Sequence, residues 1–160
     1  MGPQGTPGIA GINGLPGTTG QDILQALSGS QLQLPANTTN CVGVPDLSLN
    51  ITLPADASLY VTTNGGVQCT QAGTNYAVAD IVIFVDGNAT LGRRVVAANT
   101  GGLGQIVSNW SFGRSYELSQ GAHLIEVGAC GPGDANAVTA NVGGTAVQMQ
   151  AVLTAMIIKR

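Results

Sequence analysis

Leu47-Ser48-Leu49-Asn50-Ile51-Thr52-Leu53 alternates apolar and polar residues without a break. A period of two belongs to a strand with one buried face, because successive side chains leave the pleat on opposite sides. Turn formers recur downstream at Asn64-Gly65-Gly66, Asp86-Gly87-Asn88, Gly101-Gly102, Gly131-Pro132-Gly133-Asp134 and Gly143-Gly144. Between them lie short apolar or alternating runs, and no long segment has a helical period. Residues 77–85 are apolar apart from Asp80, which predicts a strand buried on both faces. Asp86-Gly87 then reads as a hairpin turn, with residues 93–98 returning. From Cys41 onward the pattern predicts an all-β sandwich or barrel.

Upstream the chain changes character. Glycine occupies positions 2, 5, 8, 11, 14, 17 and 20 in unbroken register. Gly2, Gly5, Gly8, Gly11, Gly14, Gly17 and Gly20 resemble the axial glycines of collagen, where three polyproline-type chains wind so closely that only a hydrogen side chain fits. Residues 1–22 are therefore read as the end of a triple-helical Gly-X-Y stalk, which implies three chains. Only Pro3, Pro7 and Pro16 stiffen it, so a clamp downstream must hold the chains together. Residues 23–40 form a neck. Asp22 could cap a short helix bearing Ile23, Leu24 and Leu27 on one side, or the neck could be an extended connector. Residues 41–160 form the head.

The composition points to assembly. Charged residues make up only 8% of the 160-residue chain and apolar residues 44%, whereas about 25% charged is usual. A chain of this kind is expected to hide part of its surface in an oligomer. Near the end, Val147, Met149, Ala151, Leu153, Ala155 and Ile157 make one apolar face. The opposite face is polar at Gln148 and Gln150 and turns apolar through Val152, Met156 and Ile158. The first face suits the sandwich interior, and Val152, Met156 and Ile158 are candidates for a homotrimer interface about the axis.

The order of a Gly-X-Y stretch, short strands, Leu118-Ser119-Gln120-Gly121-Ala122-His123-Leu124-Ile125-Glu126-Val127 and a last apolar strand resembles the trimeric jelly-roll heads of the tumour-necrosis-factor and complement-globular-head type. Among these it is similar to the heads of bacterial collagen-like surface proteins such as spore exosporium fibre glycoproteins, an architecture that phage fibres share. The resemblance implies an extracellular place on a cell surface, spore or phage fibre. It implies a structural trimerisation head that nucleates and caps a stalk, or a tip that binds a cell-surface glycan or protein. It carries over no binding residue.

Catalysis lacks parts. His123 is the only histidine and lies in an alternating strand, so it is read as a packed structural residue rather than a triad base. Neither Asp86 with Asn88 nor Asp134 with Asn136 reaches the oxygen density of a calcium loop, and no metal or cofactor is expected. The net charge of −3 gives no basic patch for nucleic acid, and no run is long enough to span a membrane. Met1-Gly2-Pro3-Gln4 lacks a signal-peptide pattern, so Met1 is read as starting a piece of a longer secreted protein. Sequons at Asn37, Asn50, Asn88 and Asn109 would carry glycans only in a eukaryotic secretory product. Trp110 and Arg114, within Asn109-Trp110-Ser111-Phe112-Gly113-Arg114, are the candidate ligand contacts, with a core role for Trp110 as the alternative. Of the three cysteines, Cys41 and Cys69 are expected to form a disulfide and Cys130 to stay a buried thiol.

Overall fold

The computed structural model describes residues 21–101 and 104–159. The seven periodic glycines, read above as collagen-like, lie outside them. Ten strands make up the fold: β1 (Gln21–Leu27), β2 (Leu32–Leu34), β3 (Cys41–Leu53), β4 (Ala57–Cys69), β5 (Tyr76–Val85), β6 (Asn88–Ala98), β7 (Ile106–Leu118), β8 (Gly121–Cys130), β9 (Ala140–Val142) and β10 (Val152–Lys159). Among the described residues there is no helix.

Two antiparallel sheets pack as a β-sandwich. One has the order β1-β10-β4-β9-β2, with β7 on the other edge of β4; the second has the order β3-β8-β5-β6. Leu47, Ile51 and Leu53 of β3 are buried in one core with Leu59 and Val61 of β4 and Leu153 of β10. The alternation that opens the sequence argument is thus the inner face of the second sheet, with Ser48, Asn50 and Thr52 outside.

Two local expectations meet different fates. Asp86 and Gly87 take φ values of 51° and 76°, and Val85 pairs with Asn88. Two left-handed residues between paired strands make a type I′ hairpin, whose twist matches that of the strands it joins. The strand before it, however, is not buried on both faces. Ala77, Ala79, Ile81, Ile83 and Val85 point inward, whereas on the outer side Val78 is buried and Asp80, Val82 and Phe84 are only half-buried. Asp80 is accommodated there by a two-pronged ion pair with Arg94, whose Nε and Nη2 each donate at 2.8 Å.

The neck is a strand, and the head begins earlier than residue 41. β1 pairs with β10 over seven positions, from Gln21 opposite Ile158 to Leu27 opposite Val152. A helix there would keep only local hydrogen bonds, while the ladder also seats Leu24 and Ala26 against the core. Tertiary pairing therefore overrides the helical reading. β2 likewise joins the sheet through β9.

The cysteine expectation is corrected. Cys41 pairs in register with Cys130 across β3 and β8, and these two form the disulfide, while Cys69 is a buried free thiol. Cys69 ends β4 in the opposite sheet, so the sandwich interior separates it from Cys41. The bond closes 89 residues of sequence, for which the chain-entropy relation gives about 4.6 kcal/mol.

Candidate functional site

The outer face of the larger sheet can be built row by row from its register. Ile23 lies opposite Met156, and Met156 lies opposite Tyr60 on β4. One row toward the start of β1, Ile158 stands between Gln21 and Ser58. Leu27, Val152 and Asn64 form a third apolar-edged row, separated from the first by Gln25, Thr154 and Thr62, where Gln25 Nε2 donates to Thr154 Oγ1 at 3.3 Å.

Among the described residues no element covers these rows. Ile23 is 62% exposed and Ile158 39%, Tyr60 and Leu27 are exposed as well, and Val152 and Met156 remain half-buried. The inward residues of the last segment behave as expected, with Met149 and Ala151 before β10 and Leu153, Ala155 and Ile157 within it all buried. Val147 does not. β10 starts only at Val152, and residues 146–149 form a turn in which the Met149 and Gln150 amides both donate to the Ala146 carbonyl. Val147 projects from its apex.

Sequence reasoning missed Ile23 and Tyr60 as members of this face. For Tyr60 a signal existed, since it falls out of phase with Leu59 and Val61. For Ile23 the signal was masked by the helical reading of the neck.

Trp110 and Arg114 do not form one ligand site. Trp110 is only 4% exposed, and its Nε1 donates to Thr63 Oγ1 at 3.2 Å. Its ring lies over Gly65, where a Cβ would collide with it. An aromatic laid over a strand glycine fills the gap left by the missing side chain, so the core alternative holds. Arg114 stands four residues away, exposed at the open lip between the sheets. There its Nη1 donates to the Thr90 carbonyl at 3.4 Å and its guanidinium sits 5.8 Å from the Tyr116 ring centre. Tyr116 and Thr90 share a hydroxyl hydrogen bond of 2.7 Å. Together these contacts fasten β7 to β6.

His123 is part of a strap at one end of the sandwich. Its Nδ1 is 2.8 Å from Asp86 Oδ2 and its Nε2 is 2.9 Å from the Ser119 carbonyl. Asp86 Oδ1 accepts from the Leu124 amide at 2.8 Å. Both ring nitrogens face acceptors, so the imidazolium satisfies them and the neutral ring satisfies only one. The Asp86 carboxylate, then the Ser119 carbonyl, raise the His123 pKa, and His123 followed by the Leu124 amide lowers that of Asp86. Asp134 is similarly engaged, accepting from the Tyr76 hydroxyl at 2.7 Å and the Asn136 amide at 2.9 Å. Both aspartates are thus held by turn and strap hydrogen bonds.

No helix among the described residues is long and apolar enough to cross a membrane. No family model and no curated protein matches the chain. Among solved structures it is similar to that of infectious bursal disease virus, Gx strain, at 16% identity and a TM-score of 0.47, over 93% of this chain and 36% of that one. It is also similar to an exo-β-1,3-galactanase from Phanerochaete chrysosporium, at 14% identity and a TM-score of 0.30, over 84% and 29% of the two chains. The chain spans about a third of the length of each.

Proposed function

We propose that this chain is a structural head that joins three copies of itself at the end of a collagen-like stalk on an extracellular surface fibre. The observation that carries the reading is the uncovered apolar face of β1, β10 and β4, which begins directly after the last periodic glycine. Gly20 precedes Gln21, and Ile23 stands two residues further on. If three Gly-X-Y segments wind together, their three β1 strands start side by side, and this face is the surface nearest the axis. Each large apolar side chain covered there by a neighbouring copy contributes roughly 1.5–3 kcal/mol.

Connectivity supports the jelly-roll form of the sandwich. Apart from the β5–β6 hairpin, strands adjacent in a sheet are joined through excursions to the other sheet, as in packed Greek keys. The disulfide between Cys41 and Cys130 supports an oxidising, extracellular setting. The test is the mass of the intact chain in solution by light scattering. Three times the 16.0 kDa of one chain is expected; a monomer or dimer at micromolar concentration would sink the reading.

A further inference from the structure

At the end of the same sheet remote from Gln21, the outer surface changes from apolar to amide-rich. A cleft of about 370 Å³ opens there, floored by Asn64 and Gly65 of β4, walled by Asn109, Trp110 and Ser111 of β7, and closed by Val147, Gln148 and Gln150 of the turn before β10. We infer that this cleft is a binding site for an uncharged saccharide.

The first argument is chemical. Four carboxamides and a hydroxyl converge on the cleft, and no charged side chain lines it. Each amide offers both donors and an acceptor, the complement of vicinal sugar hydroxyls. Charge would instead select phosphate, sulfate or carboxylate.

These amides are also unengaged. Some amides elsewhere, those of Gln25, Gln68, Asn75, Asn88, Asn99 and Asn141, donate to partners within the chain, whereas others such as Asn37 and Asn50 do not. Among the described residues Asn64, Asn109, Gln148 and Gln150 have no side-chain hydrogen bond of this kind, so their capacity is available to a ligand.

The wall is held in place. Ser28, a buried residue, uses its hydroxyl to donate to the Gly144 carbonyl at 2.9 Å and to accept from the Gly144 and Ala151 amides at 3.1 and 2.9 Å. Gly66 donates to the Met149 carbonyl at 3.3 Å, and a Cβ at Gly66 would come within 2.8 Å of the Gln148 carbonyl oxygen. Met149 is anchored in the core. A turn fastened at both ends presents its amides with little ordering cost on binding. At its apex Val147 is 94% exposed, an apolar surface beside the amides of the kind a sugar ring's C–H face covers.

Position adds a consequence that rests on the trimer proposed above. From Ser58, opposite Ile158, to Asn64 is six residues of β4, about 20 Å at 3.3 Å per residue. Three copies would then present three clefts away from the stalk, where a weak site gains from avidity.

The experiment is an array of neutral and acidic oligosaccharides probed with the intact chain. It is followed by NMR of the side-chain amide resonances with the neutral monosaccharides galactose, glucose, mannose and N-acetylglucosamine. Binding of neutral saccharides that shifts the Asn109 and Gln148 amide signals is expected. It should weaken at least about tenfold in N109A/Q148A with oligomer mass and melting temperature unchanged. Binding to no saccharide, binding to acidic saccharides only, or binding unaffected by the double substitution overturns the inference. So does a loss of trimer mass in V147D, which would place the cleft in a seam between copies. Because the cleft lies within one chain, the NMR shifts persist if the chain proves monomeric, so this inference and the trimer reading fail separately.

Discussion

The two sheets treat their outer faces in opposite ways. On the β3-β8-β5-β6 sheet, Asp80 is paired with Arg94, and Gly43, Gly128 and Gly92 fall in one transverse row with Val82. The Phe84 ring lies over Gly128 there. On the β1-β10-β4 surface, Ile23, Met156, Tyr60 and Ile158 stand side by side with no described residue above them. The β3-β8-β5-β6 sheet fills part of its outer surface with the chain's own ion pair and ring, although Val96 is still 48% exposed. On the other sheet the exposed apolar side chains adjoin one another, and this is the face on which the proposed assembly of three copies rests.

The sharpest way to break this contrast is to place the same charge on each sheet. Ile23 and Val96 are both exposed, at 62% and 48%, and Val96 lies on the outer face of β6. In an isolated chain Ile23→Asp and Val96→Asp should both be mild, within about 0.5 kcal/mol. In a trimer Ile23→Asp, like Met156→Asp, would bury unpaired carboxylates, costing several kcal/mol and releasing monomers. Val96→Asp should leave the mass unchanged. Equal light-scattering masses for the two variants would show that the apolar face is not an interface.

A smaller effect is expected from the disulfide, which lies on the β3-β8-β5-β6 sheet. Removing it in C41A/C130A should cost about 2–5 kcal/mol by denaturant unfolding. Cys69→Ala, which deletes one buried sulfur, should cost nearer 1 kcal/mol. Non-reducing peptide mapping should link Cys41 to Cys130, and a Cys69 link would reverse the ranking.

The smallest effect is the pH dependence of the His123–Asp86 strap. The His123 pKa is raised above its ordinary 6.5, so its contribution is complete below that value and lost as pH rises through the folded pKa. The Asp86 pKa is lowered below 3.8, so its contribution is present above that value and lost as pH falls through the folded one. Melting temperature should therefore peak between these limits with respect to this pair, and His123→Gln should flatten the alkaline side. A flank unchanged by the substitution would assign that pH dependence to other groups.

What was legible in the sequence was local. The alternation of residues 47–53, the inward set from Met149 to Ile157 and the Asp86-Gly87 hairpin follow from pleat geometry and from the φ values that two residues can adopt. The same local reading left the neck open between a helix with Ile23, Leu24 and Leu27 on one side and an extended connector, and seven long-range pairs with β10 decided for the extended form, with Leu24 inside and Ile23 and Leu27 outside. It also matched Cys41 with its nearer neighbour in sequence, although sheet membership set Cys41 beside Cys130.

The sequence by itself determined the strand class, the period of three in glycine and which residues of β10 face the core, because each depends on spacing along one segment. Only the tertiary structure decided that Trp110 is core, that Arg114 closes a lip and that four amides from three segments share a cleft. Those outcomes depend on which strands become neighbours, and burial across two sheets joins residues that no periodicity connects.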